Sequence, residues 1–115
     1  MPQHYRMVID YKEINLKIAK IPYPLPVPNE SFSEIGPAKL FSTIDLSNGF
    51  HQLRCHPAHT HKTAFTSPMG RHEFLVLPFG IKNGPPVFQK LINIALKKYL
   101  GKICFCFMDD ILISA

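Results

Sequence analysis

The sequence predicts an α+β fold, and three observations carry that prediction. KLFSTIDL at 39–46 alternates apolar and polar residues with the period of two of a half-buried strand. PPVFQKLINIALKKYLG at 85–101 repeats apolar residues at three- and four-residue spacing, the period of a helix. Strands and two helices then come in mixed order along 115 residues, 46% of them hydrophobic, which is enough for one small core.

Taken in order, HYRMVIDYK (4–12) has the β-branched and aromatic content of a strand, with Arg6, Asp10 and Lys12 at alternate positions. IPYPLPVPN places Pro22, Pro24, Pro26 and Pro28 at every second position, which blocks helix and ladder alike and predicts an extended connector. SFSEIG has a Ser followed three residues on by Glu and closed by Gly36, the pattern of a short capped helix. After the strand ending at Asp45, Ser47, Asn48 and Gly49 predict a turn, and FHQLRC an extended or short helical piece. KTAFT and HEFLVL are further strand candidates around SPMG, a turn by its Pro and Gly. In the 85–101 helix, Pro85 and Pro86 suit the first turn, Phe88, Leu91, Ile92, Ala95 and Tyr99 form the apolar stripe, and Gly101 ends it. KICFCFMDDILIS reads as strand, a two-residue turn at Asp109 and Asp110, and a second strand.

Thirteen Lys and Arg against eight Asp and Glu give a net charge of +5, a lean toward a polyanionic partner. Cys55, Cys104 and Cys106 are odd in number and form no CxxC pair, which argues against a disulfide framework and for an intracellular setting. No apolar run approaches the roughly 20 residues of a membrane span, and the charged first twenty residues do not read as a signal peptide. His56, His59 and His61 have no Cys or acidic partner at ligand spacing, so HPAHTH reads as an exposed polar loop rather than a zinc site. Cys104 and Cys106 alternate on an apolar strand and read as small core residues.

FCFMDDIL sets two carboxylates side by side in an otherwise apolar run, and an adjacent pair needs a third acid to enclose a cation. Asp45, at the end of another apolar strand, is the candidate. If the two strand regions are neighbours, all three acids meet at one rim, where their repulsion calls for a hard cation such as Mg²⁺. The competing reading is a solvated turn.

Four ordered blocks resemble the fingers and palm region of a reverse transcriptase, nearest to the gypsy-type long-terminal-repeat retrotransposon enzymes. They are RMVIDYKEIN at 6–15, YPLP at 23–26, FSTIDLSNGFHQLR at 41–54 with KTAF at 62–65, and FLVLPFGIKNGPPVFQKLIN running on to FMDDILIS. The resemblance implies an antiparallel palm sheet packed on helices, incomplete in this chain. Residues of about 1–40 and 55–85 would be fingers-like and those of about 41–54 and 86–115 palm-like, with thumb, connection and RNase H absent.

It further implies that Asp45, Asp109 and Asp110 are the catalytic acids, that Asp45 and Asp109 bridge two Mg²⁺ ions, replaceable by Mn²⁺, with the carbonyl of Leu46 as a further ligand, and that Asp110 is the more loosely engaged member of the metal-binding set. Arg6, the turn of Ser47, Asn48 and Gly49, Phe50 as a gate against the 2′-hydroxyl, and Phe79 would serve the deoxynucleoside triphosphate. Asp10, Lys12, Asn15, Gly80, Phe107 and Met108 would meet template or primer. Setting aside the three catalytic acids leaves five acids against thirteen basic residues, +8, which suits a template–primer channel lined by Lys12, Lys62, Lys82 and Lys90.

The sequence departs from the family at Phe107, where Tyr is usual, and at Gly84 and Pro86, where small residues such as Ala or Ser are usual. The expected activity is RNA-directed DNA polymerisation within a Pol polyprotein, in the cytoplasm and its retrotransposon particles, with this chain a fragment inactive alone. The rival expectation is a non-enzymatic retroelement remnant with at most weak nucleic-acid binding.

Overall fold

A computed structural model describes residues 4–25 and 36–115. The capped helix expected over SFSE and the prolines 26 and 28 lie outside the described residues. The chain divides into two compact units, one of residues 1–20 with 50–84, the other of 21–49 with 85–115.

The second unit is a three-stranded antiparallel sheet and a helix. Strand β1 (Phe41–Asp45) pairs with β5 (Asp110–Ser114), and β5 pairs with β4 (Cys104–Phe107), so the sheet order is β1-β5-β4. Because side chains alternate across a strand, Ile44, Cys104, Cys106, Ile111 and Ile113 share one face. Cys104, Cys106 and Ile111 form its buried core, with Ile92, Leu96 and Leu100 packed against them. Helix α2 (Gly84–Ala95) supplies Phe88, 1% exposed, and Gln89, fully buried.

The helix is shorter than its periodicity predicts. Beyond Ala95 the chain tightens into three-residue turns, Lys97 N–H to Ile94 O and Tyr99 N–H to Leu96 O, before Gly101 reverses it at φ +75°. The apolar spacing persists through these turns, so periodicity alone does not mark where the helix stops.

The first unit has little regular structure. Residues 4–11 are not a strand. Among the described residues no ladder pairs with them, and β-branched content favours a strand only where a neighbouring strand receives it. The chain instead enters helix α1 (Lys12–Lys17), with Lys12 N–H bonded to the Asp10 carboxylate at 3.0 Å. FHQ lies in a 3₁₀ turn at Gly49–Gln52, KT in another at Thr60–Thr63, and a short hairpin joins β2 (Phe65–Ser67) to β3 (Gly70–His72) around Pro68 and Met69. HEFLVL is a strand only at its start; Leu75 to Leu77 touch residues 53–55 through a single bridge and two backbone bonds.

Candidate active site

The register of the sheet positions the acids. Asp45, the last residue of β1, is directly opposite Asp110, the first of β5, and Asp110 is also opposite Phe107. Asp45, Asp110 and Phe107 therefore share the face opposite the core, and all three are exposed. Like charges placed across a ladder repel, so this pair costs stability unless a cation lies between them.

The hairpin turn is Met108–Asp109, one residue earlier than the sequence predicts. Asp110 is thereby a strand residue with a fixed face, and Asp109 a turn residue. Leu46 N–H donates to the Asp109 carbonyl at 2.9 Å, carrying the β1 contact one step past Asp45. The half-buried Asp109 carboxylate points at Gly49. A Cβ on Gly49 would lie 2.6 Å from Asp109 Oδ1 and 2.7 Å from Phe88 Cζ, so only glycine admits the carboxylate there. Ser47 and Asn48 before it are exposed, with Asn48 at φ +48°.

Among the described residues, no three His, Cys, Asp or Glu side chains stand close enough to hold a metal by themselves. Asp109 faces Gly49 and Phe88, whereas Asp45 and Asp110 share the open face. An oxygen-only pair of carboxylates beside an accessible face nevertheless fits Mg²⁺ or Mn²⁺, hard cations that complete their shell with waters and substrate phosphates.

Sequence reasoning missed Gln89. Its Oε1 accepts the Met108 N–H at 2.7 Å, and its Nε2 donates to Asn93 Oδ1 at 2.9 Å and to Cys106 O at 3.3 Å. Asn93 Nδ2 in turn donates to the Tyr23 hydroxyl at 2.7 Å. The available signal was a polar residue three and seven positions before Ile92 and Leu96, inside the apolar stripe. The Cys106 thiol, pushed up to about 11 chiefly by burial, stays protonated and donates to the Met108 carbonyl at 3.4 Å.

In the first unit, three of the residues expected to serve the nucleotide stand together. The guanidinium of Arg6 lies 4.9 Å from the centre of the Phe79 ring, and Phe79 is 5.6 Å from Phe50. His51, which sequence reasoning passed over, is 4.8 Å from the same Phe79 ring. Arg6 remains exposed, with its charged guanidinium set over the Phe79 ring at cation–π distance. Gly84 is not required sterically: a Cβ there would meet Leu77 and Phe50 at an ordinary 3.8 Å, and nothing in the structure explains the glycine.

The residues expected at the template have work inside this unit. Asn15 spends both ends of its amide on the backbone of the Phe79–Gly80 loop, donating to Gly80 O at 2.7 Å and accepting Lys82 N–H at 2.9 Å. Gly80 itself is at φ +90°, a left-handed conformation that glycine adopts without strain. Lys82 Nζ donates to Ile18 O at 3.2 Å, and Asp10 holds the start of α1. Lys12, Lys62 and Lys90 are exposed. The His56 and His59 rings meet at 5.4 Å, tilted by 54°, in an exposed loop, and Lys62, first among neighbouring cations, lowers the His59 pKa.

The model of the family "Reverse transcriptase (RNA-dependent DNA polymerase)" matches residues 2–115. The chain belongs to the reverse transcriptase family. It is 42% identical over 111 residues to the retrovirus-related Pol polyprotein from transposon opus of Drosophila melanogaster, covering 96% of this chain and 11% of that protein. To the Pol polyprotein from transposon gypsy of the same fly it is 37% identical over 108 residues, covering 94% of this chain and 10% of that one. Among solved structures, the foamy viral protease-reverse transcriptase in complex with RNA/DNA hybrid matches with a TM-score of 0.86 at 32% identity, over 96% of this chain and 15% of that one. The chain thus spans about a tenth of the length of the curated reverse transcriptase relatives it matches.

Proposed function

We propose that this chain supplies catalytic and nucleotide-binding residues to an RNA-directed DNA polymerase of a gypsy-type retrotransposon, and that the 115 residues alone do not polymerise. The observation that carries the reading is the register that sets Asp45 opposite Asp110 on an open face, with Asp109 in the adjoining turn. The primer 3′-hydroxyl attacks the α-phosphate of a deoxynucleoside triphosphate, a new P–O bond forms, the bond to pyrophosphate breaks, and the hydroxyl proton passes to solvent. Asp45 and Asp110, with Asp109 and the Leu46 carbonyl beside them, would hold the divalent cations, which when bound would supply the positive charge that favours the attacking hydroxyl and the leaving pyrophosphate.

Arg6 binds phosphate through its fork, a use its exposed position supports. Phe50, braced by Phe79, excludes a 2′-hydroxyl. Phe107 and Met108 meet the primer end, and the basic surplus favours a nucleic-acid partner whose affinity falls with salt. The same reading assigns a fingers role to the first unit, a palm role to the second, and a setting in the cytoplasm, within the element's particle, beside other parts of a Pol polyprotein.

The test is primer extension on an RNA template with Mg²⁺, comparing the 115-residue chain, the full-length gene product that contains it, and an Asp109→Asn variant of each. Extension by the full-length protein, reduced at least about 10³-fold by Asp109→Asn, is the expected result. A full-length protein that is folded yet extends nothing would overturn the reading in favour of an inactive retroelement remnant.

A further inference from the structure

The ring of His51 sits among aromatic neighbours, 4.8 Å from the Phe79 ring and 6.3 Å from that of Phe74. Its Nε2 is buried and has no hydrogen-bond partner in the protein. Withdrawing a ring nitrogen from water without a partner is unfavourable, so an apolar ring would suit the same surroundings better if packing were all that the position required.

His51 also lines a cavity of about 90 Å³, shared with residues 7–9, Phe74, Pro78 and Phe79. All of these belong to the first unit. Residues 7–9 make no backbone hydrogen bond among the described residues, although a main chain ordinarily pairs its N–H and C=O groups with protein or with water. The cavity has room for water, and water is what satisfies buried polar atoms that lack a protein partner. The stretch facing His51 across this cavity begins next to Arg6, whose guanidinium lies 4.9 Å from the centre of the Phe79 ring.

We propose that His51 is a positioning residue: through water held in this cavity, its Nε2 anchors the main chain of residues 7–9 and so keeps Arg6 over Phe79. The buried nitrogen acts through that stretch and touches no substrate. For its effect on polymerisation the proposal rests on the nucleotide-binding role proposed for Arg6 and Phe79, whereas the anchor itself is measurable without catalysis.

The experiment compares three variants of the full-length protein. His51→Phe keeps a planar ring and removes both nitrogens. His51→Gln places an amide near the position of Nε2, and His51→Asn places one near the position of Nδ1. The readouts are amide hydrogen exchange at Met7, Val8 and Ile9, and kcat and KM for the deoxynucleoside triphosphate in primer extension. His51→Phe and His51→Asn are expected to speed exchange at these amides at least about tenfold. Both should raise KM at least about fivefold with kcat kept within about twofold, the pattern of lost nucleotide binding rather than lost chemistry. His51→Gln should restore both readouts to within about twofold of the unsubstituted protein.

Unchanged exchange in His51→Phe would overturn the proposal. Equal losses in His51→Gln and His51→Phe would also overturn it, by showing that the imidazole supports Phe79 through its shape alone. Should His51→Phe fail to fold, the contrast between His51→Asn and His51→Gln decides the same point. If the unsubstituted protein does not extend primers, the functional reading fails while exchange and its rescue by glutamine still decide the anchor.

Discussion

The two units are built by different means. In the second, three strands pair in register over an apolar face of Cys104, Cys106 and Ile111, and one buried glutamine ties the hairpin turn to the helix. In the first, regular structure is short, and side chains reach across the sequence to hold backbone: Tyr11 to Thr63 O, Asn15 to Gly80 O, Asn83 to Ala19 O. A ladder fixes which face each residue presents, and it fixes the acids. A set of polar clamps fixes where loops end, and it presents Arg6 and Phe79. The difference teaches that a ladder fixes the relative direction of the groups it carries, whereas clamped loops fix only where a group is presented.

The largest separation between the units should come from their effects on chemistry. Against the near-total loss expected of Asp109→Asn, Phe50→Val in the first unit should leave deoxynucleotide extension largely in place. It should raise ribonucleotide use on the order of tenfold or more, read as the ratio of kcat/KM for the two sugars. Unchanged sugar discrimination would remove Phe50 from the site and weaken the contrast.

Glycines give the next test. Gly49→Ala forces a methyl to 2.6 Å from Asp109 Oδ1 and 2.7 Å from Phe88, and should cost about 1–3 kcal/mol in urea unfolding. Gly84→Ala, with its nearest neighbours at 3.8 Å, should be close to neutral. Similar costs for both would mean that the Asp109 niche is not tight.

A clamp can be cut directly. The buried Thr63 hydroxyl accepts Phe74 N–H at 2.8 Å and donates to Thr60 O at 2.7 Å. Thr63→Val keeps the shape but strands that N–H, for an expected loss of about 1–3 kcal/mol, with faster hydrogen exchange at Phe74. An unmoved Phe74 amide would show that the first unit does not depend on the clamp.

The smallest effect is on pH dependence. Cys106 has its pKa raised from 9.0 to about 11, mainly by burial and secondarily by Cys104, so the folded state holds the thiol proton more tightly than the unfolded chain does. Its contribution is complete below about pH 9 and is lost as pH rises through about 11. Denaturation midpoints of the wild-type chain should therefore fall more steeply over that interval than those of Cys106→Ala. Parallel slopes would remove the thiol as the cause.

The same contrast explains what was legible in the sequence. β1 and β5 were visible as strands, although β1 is exposed along its whole length and not the half-buried strand its alternation predicts, and the apolar stripe of α2 was visible too. The turn was misplaced by one residue because Asp pairs are good turn formers, whereas the actual turn uses Met108, whose left-handed backbone is held by a residue nineteen positions away. HYRMVIDYK looked like a strand because propensity is local, but the partner that would make it one is absent among the described residues. Asn15 and Thr63 left no periodic trace, since a clamp requires one residue at one place and repeats nothing. The resemblance pointed to Asp45, Asp109 and Asp110; it did not reveal that Asp109 is seated against Gly49.

The two-residue span between Phe107 and Asp110 also works as a ruler. Side chains alternate along β5, so a single added or deleted codon there would turn Asp110 from the face of Asp45 to the face of Ile111 and shift every residue behind it. A substitution at 108 or 109 alters one group, whereas a change of length re-addresses the whole strand.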